Sequence, residues 1–358
     1  MPHVAHVAPP VELPIGGDAR HDATMDADDL IAAAVEQTGL DDFGEPSFRD
    51  GLDVLVAALN DEAELNDIGR PAAEAMLTGA LVNRLKVTGW WNRHPELADE
   101  TIEAPVFIVG VSRSGTTALS HLLVNDPANR SLLAWEAQDP VPPPTAESYG
   151  TDPRLLAALE AEQNSMMEML NPGFKAIHHD PPDMPIECVT LMAHDFVSLQ
   201  YGAAFNVGSY VDWVLERDHH ATYEYHRRVL QLLQSGGVRG RWQLKTPHHG
   251  LAVETIADVY PDARFIWTHR DPALCVVSTA STTRGLSRTF SDADRRLFQG
   301  ELWARVLSEM IDRTAAAREQ LGDDRFVDVS YADLVADPVA AVCRLKADLG
   351  EPVTTELE

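Results

Sequence analysis

The chain has 358 residues, 45% of them hydrophobic, and 28 Lys/Arg against 56 Asp/Glu give a formal net charge of -28. That length suits one large α/β domain or a domain with a sizeable appendage, and the acidity argues against a nucleic-acid partner, whose phosphates need a basic face. Three scattered cysteines, Cys188, Cys275 and Cys343, are too few for a disulfide framework or a zinc cage and fit a reducing cytoplasm. No stretch approaches the roughly 20 apolar residues that cross a bilayer, and no signal-peptide pattern opens the chain. The expectation is a cytoplasmic protein without stable membrane insertion, its oligomeric state not legible.

Residues 1–25, rich in Pro, Gly, Asp and His without periodicity, predict a mobile arm. From 26 to 103 the pattern is helical. Leu30, Ile31, Ala34 and Val35 recur at helical spacing, as do Phe48, Leu52, Leu55, Val56 and Leu59. A third helix carries Leu77, Leu81 and Leu85 and ends near Trp90-Trp91. Four short apolar runs follow, at 106–109, 242–244, 264–267 and 326–329, each succeeded by a polar motif and helix-like sequence. That alternation predicts a parallel sheet with crossover helices and a site at the carboxyl ends of its strands. Between the first and second runs, residues 140–240 predict a mostly helical insertion, with helices over 155–170, 186–201 and 223–233, suited to binding an acceptor.

The first run leads into Gly110-Val111-Ser112-Arg113-Ser114-Gly115-Thr116-Thr117. Strand, glycine turn and helix aim backbone N–H groups at an anion. Thr116 stands where a nucleoside triphosphatase needs its lysine, and the cation has moved to Arg113 inside the loop. Such a loop suits a phosphate or sulfate better than a metal-bridged triphosphate. The second run ends in Lys245-Thr246-Pro247-His248, a cation for a leaving group and an imidazole for a proton. After the third run, Thr268-His269-Arg270-Asp271-Pro272 is followed by Ser278, a pair suited to a second phosphate. His178-His179-Asp180 with Asp183 reads as surface loop rather than a metal site, and His219-His220 as solvated loop.

Together, the Arg-Ser-Gly-Thr-Thr loop, Lys-Thr-Pro-His and His-Arg-Asp-Pro with a serine eight residues past its arginine resemble the sulfotransferase family, bacterial type, over residues 104–350. The resemblance implies a P-loop-like three-layer α/β sandwich around a parallel sheet, with a sulfotransferase domain over 104–358. It also implies 3′-phosphoadenosine-5′-phosphosulfate as sulfuryl donor and no metal. On that reading Arg113, Ser114, Gly115, Thr116 and Thr117 hold the 5′-phosphosulfate, Arg270 and Ser278 hold the 3′-phosphate, and Tyr331 lies near the nucleotide.

Family members differ in their general base. Some use a histidine near the strand-end lysine, here His248; tyrosylprotein and several carbohydrate enzymes use a glutamate shortly after the first helix, here Glu136. The loop type, shared with tyrosylprotein enzymes, favours Glu136, placed by the following prolines at a domain edge where a hydroxyl could reach it. The family's basic C-terminal loop over the 3′-phosphate is not visible before Glu358, so either the chain is shortened or a segment around Arg284 and Arg288 takes that role. Apolar residues of the insertion, Leu191, Met192, Phe196, Leu199 and Tyr201, suggest an apolar small-molecule or lipid hydroxyl acceptor. The rival readings are a small-molecule kinase on the same sheet, which needs triphosphate and magnesium, and a non-catalytic nucleotide-binding module.

Overall fold

A computed structural model describes residues 24–163, 166–176 and 179–353, the side chain of Met166 excepted. All but the last two residues of the expected arm, and His178 of the discounted cluster, lie outside the described residues. Three helices open the chain: α1 (Ala27–Thr38), α2 (Ser47–Asp61) and α3 (Gly69–Arg93). Asp26 caps α1 by accepting from the backbone of Asp28 and Asp29, and Gly39 ends it in the left-handed region.

Five strands form one parallel sheet: β1 (Val106–Val109), β2 (Asn129–Ser131), β3 (Arg241–Lys245), β4 (Arg264–His269) and β5 (Phe326–Ser330), in the order β2-β3-β1-β4-β5. Four of these coincide with the apolar runs. The fifth, β2, is polar, three residues long and at the sheet edge, so it carries none of the buried-strand signal that marks the others. The chain builds β2 and β3 on one side of β1 and then crosses to β4 and β5 on the other, which opens a crevice at the carboxyl end of β1.

The crossovers and insertion supply α4 (Thr116–Leu123), α5 (Ala134–Gln138), α6 (Pro153–Gln163), α7 (Met166–Leu170), α8 (Val189–Met192), α9 (Leu199–Ala204), α10 (Gly208–Glu216) and α11 (His220–Ser235). Beyond β3 come α12 (Val253–Val259), α13 (Pro272–Phe290), α14 (Arg296–Leu321), α15 (Tyr331–Ala336) and α16 (Pro338–Asp348). Ile108, Ile266 and Val327 pack under Leu119, Leu334 and Leu345 on one face of the sheet. Phe107, Phe265 and Leu244 pack under Val229, Leu233 and Ile256 on the other. The result is a three-layer sandwich, with the opening helices joined to α9, α10, α13 and α14 in a further core.

One helix expected in the insertion is broken. The stretch 186–201 divides where Phe196 turns into the left-handed region (φ 54°) and Ser198 caps α9 by accepting from Gln200 N–H. Leu191, Met192, Phe196, Leu199 and Tyr201 fill the core instead of lining an open pocket. His219 is buried, its Nε2 bonded to Val214 O at 2.9 Å, and not the solvated loop residue the sequence suggested.

Arg84 fastens the opening helices to the insertion. Its buried guanidinium donates to Asp195 Oδ1 (3.0 Å), Phe43 O (2.9 Å) and Glu45 O (2.6 Å), and lies 4.8 Å from the ring centres of both Phe48 and Tyr225. Asp195 also accepts from Ser47 and Thr222. Removing one member of a buried pair strands the other's charge. Asp195→Ala is therefore expected to lower unfolding free energy by about 3–5 kcal/mol, read as a fall in the urea midpoint.

Candidate active site

β1 leads into Gly110, whose φ of 128° is left-handed and whose Cβ, if present, would lie 2.3 Å from Thr268 Oγ1 on β4. Glycine alone lets the two strand ends approach this closely. Ser114 completes the junction: its Oγ donates to Val111 O (2.6 Å) and meets Thr268 Oγ1 (2.6 Å). The Ser114 side chain thus points into the sheet, and what it offers an anion is the loop's shape. Gly115 (φ 97°) passes under the Tyr331 ring and opens α4, so the first-turn N–H groups of α4 face the crevice mouth.

Arg113 is itself left-handed (φ 71°). Its Nε donates to Ser278 Oγ (3.1 Å) on α13, and its carbonyl accepts from Arg270 Nη1 (2.7 Å). The Arg270 guanidinium stacks 4.2 Å from the Tyr331 ring centre. The structure therefore brings Arg113, Gly115, Thr116, Thr117, Arg270, Ser278 and Tyr331 to one crevice, from three strand ends. Arg284 is engaged by Asp294 in two bonds (2.7 and 2.8 Å). Arg288 lies ten residues past Ser278, roughly 15 Å farther along α13.

Lys245, at the end of β3, is 1% exposed. Its Nζ donates to Thr117 Oγ1 (3.1 Å) and to Glu187 Oε1 (3.1 Å). The other oxygen of Glu187 accepts from Thr246 Oγ1 (3.1 Å), and Glu187 keeps 22% of its side chain exposed. Sequence reading missed this carboxylate. The signal was faint: a charge between Ile186 and Cys188 at the head of an apolar stretch, 58 residues from the lysine it meets.

The two bases proposed from the sequence sit differently. Glu136 is fully buried, not at an accessible edge. Arg130 grips both its oxygens (2.7 and 2.6 Å), and Oε1 also accepts from Leu133 N–H (2.9 Å) at the start of α5. Arg130 is sandwiched between Trp242 and Tyr149, ring centres at 4.5 and 4.9 Å, so this carboxylate completes a buried ionic hub. His248 is buried too. Its Nδ1 accepts from Leu199 N–H (3.3 Å), its ring lies 5.1 Å from that of His219, and burial holds it well below the usual imidazole range.

The chain has relatives among known proteins. Residues 105–355 match the Sulfotransferase family. The chain belongs to the sulfotransferase family. It resembles the crystal structure of sulfotransferase STF9 from Mycobacterium avium, with TM-score 0.87 and 34% identity over 95% of this chain and 87% of that one. Sulfotransferase STF1 from Mycobacterium tuberculosis H37Rv matches with TM-score 0.85 and 33% identity, over 93% and 92% of the two chains. Among curated proteins, the omega-hydroxy-beta-dihydromenaquinone-9 sulfotransferase Stf3 of Mycobacterium bovis and of Mycobacterium tuberculosis are each 27% identical over 260 residues. That alignment covers 70% of this chain and 64% of each relative's length. No helix among the described residues is long and apolar enough to cross a membrane, and none of their His, Cys, Asp and Glu side chains form a group of three or more that could hold a metal.

The surroundings of Glu136 and the histidines give two tests. Glu136→Ala should cost about 3–5 kcal/mol of stability by stranding Arg130, seen as a lower denaturation midpoint. A variant that unfolds like the parent yet cannot transfer would show that the hub is not the residue's role. For pH, burial depresses six histidines among the described residues: His194 and His226 to about 3, and His121, His219, His248 and His249 below 6.5. Below pH 6.5 the unfolded chain takes up protons that the fold refuses, so stability falls with pH, by up to about 1.4 kcal/mol per histidine per pH unit. Urea midpoints measured from pH 7 to 5 should drop steeply below 6.5.

Proposed function

We propose that this protein transfers a sulfuryl group from 3′-phosphoadenosine-5′-phosphosulfate to the hydroxyl of an apolar lipid. The observation that carries this reading is Lys245, one ammonium bonded at once to the first turn of α4 and to Glu187. A cation and a partly exposed carboxylate thus stand together beside the start of α4.

In this reading the N–H groups opening α4, with Arg113 and Thr117, hold the phosphosulfate end of the donor. Arg270, stacked on Tyr331, and Ser278 take the 3′-phosphate. The acceptor oxygen attacks sulfur in line. Its O–S bond forms as the bond from sulfur to the bridging oxygen breaks, and adenosine 3′,5′-bisphosphate leaves with the bonding pair. Lys245 neutralises the charge on that leaving oxygen, the part magnesium takes at a triphosphate. Glu187 accepts the hydroxyl proton, in place of Glu136, whose oxygens are committed to Arg130, and of His248, whose Nδ1 is committed to Leu199.

The acceptor class rests on the relatives. Stf3 is named for a hydroxylated menaquinone, which supports a hydroxylated isoprenoid lipid here. A cytoplasmic site of action agrees with three unpaired cysteines, of which Cys188 and Cys275 are buried.

Calorimetry with adenosine 3′,5′-bisphosphate should show binding that ATP with magnesium does not match, and transfer to farnesol, as a probe isoprenoid alcohol, should persist in EDTA. Lys245→Ala and Glu187→Gln should each lower kcat about 100-fold or more. Tight ATP binding without bisphosphate binding, or full transfer by Glu187→Gln, would overturn the corresponding part.

A further inference from the structure

We infer that Thr246 is a positioning residue, whose hydroxyl holds Glu187 in the orientation from which it takes the acceptor's proton. The inference rests on the reading of Glu187 as the base.

Thr246 is fully buried, and its Oγ1 has two neighbours that fix the direction of its single proton. One is the backbone N–H of His248 (3.4 Å), which can only donate, so Oγ1 accepts there as the N-cap of the 3₁₀ turn Pro247–Leu251. The other is Glu187 Oε2 (3.1 Å), which as a carboxylate can only accept, so the hydroxyl proton points to it. Lys245 Nζ occupies the opposite oxygen (3.1 Å), and the carboxylate is held from both sides by consecutive residues of one chain segment. The backbone repeats the tie, since Cys188 N–H donates to Lys245 O (2.9 Å) and fastens the start of α8 to the end of β3.

These contacts differ in what the proposed reaction asks of them. Lys245 is needed by the leaving oxygen, so its hold on Glu187 weakens as the donor's charge develops. Thr246 has no other task in the transfer. It keeps the carboxylate in place while the lysine turns to the donor, as a supporting bond keeps a catalytic group in register.

The test uses the full chain, 3′-phosphoadenosine-5′-phosphosulfate and farnesol, with adenosine 3′,5′-bisphosphate affinity measured beside kcat. Thr246→Val, or Thr246→Ala should the valine variant not fold, is expected to lower kcat about tenfold with bisphosphate Kd unchanged, while Thr246→Ser stays within about twofold of the parent. In a Glu187→Gln background the same change should have no further effect, because the oriented group is already gone. Unchanged kcat in Thr246→Val and Thr246→Ala, alongside an impaired Glu187→Gln, would overturn the role of Thr246 and leave the base reading standing. So would an equal loss in the Glu187→Gln background, or a parallel loss of bisphosphate affinity. Full activity of Glu187→Gln alone would remove the base reading, and the present inference with it.

Discussion

The crevice owes its shape to the contact of Gly110 with Thr268, where the ends of two neighbouring strands come closer than any side chain allows. Because β1 is the central strand, a loop leaving it has β4 on one side and β3 on the other. Ser114 uses its hydroxyl to bind both its own turn and Thr268, which draws the loop onto β4 and forces the chain back at Gly115 into α4. Arg113 is the residue left at the crest, in a left-handed conformation that costs a non-glycine residue about 1–2 kcal/mol. The neighbouring elements offset that strain, with Ser278 accepting from its side chain and Arg270 donating to its carbonyl.

Charge burial sets Glu187 apart from other paired carboxylates. Glu136 and Asp195 are each sealed against an arginine, and every oxygen they have is engaged. Such pairs fix where segments dock, at a desolvation cost their mutual attraction largely offsets. Glu187 differs in that it retains exposure while its partner Lys245 does not. A buried ammonium beside a half-open carboxylate has one ion already stripped of water and one that solvent or an acceptor hydroxyl can still reach. That asymmetry fits the proton-accepting role proposed for Glu187.

Much of this was legible in the sequence, for reasons that can be named. Strands with mostly apolar residues write themselves as apolar runs, so β1, β3, β4 and β5 stood out, and the loops after three of them carried the residue types expected of an anion site. β2 escaped because an edge strand of Asn129, Arg130 and Ser131 has no such signature. The continuous helix expected over 186–201 failed because a left-handed turn at Phe196 is a tertiary choice, imposed by packing and invisible to periodicity. Glu136 drew attention through a local pattern, an acid following the anion-loop helix. The same pattern is produced by an acid that caps α5 and neutralises Arg130. Glu187 could not be found this way, since its meaning comes from Lys245 and Thr246, which only the fold brings to it.

The contacts across the crevice also bear on how the two proposed phosphate sites would act as one. Arg113 belongs to the loop proposed for the phosphosulfate, and Ser278 and Arg270 belong to the elements proposed for the 3′-phosphate, yet each of these two is bonded to Arg113. Tyr331 closes the circuit, its ring lying over Gly115 on one side and against Arg270 on the other. A group that pulls Arg270 or Ser278 toward it therefore acts on the backbone and side chain of Arg113 as well. Under the proposed assignment, recognition of the donor's 3′ end is tied to the geometry around sulfur through bonds no longer than 3.1 Å, and a nucleotide lacking that phosphate would leave the Arg113 crest without the pull that the full donor supplies.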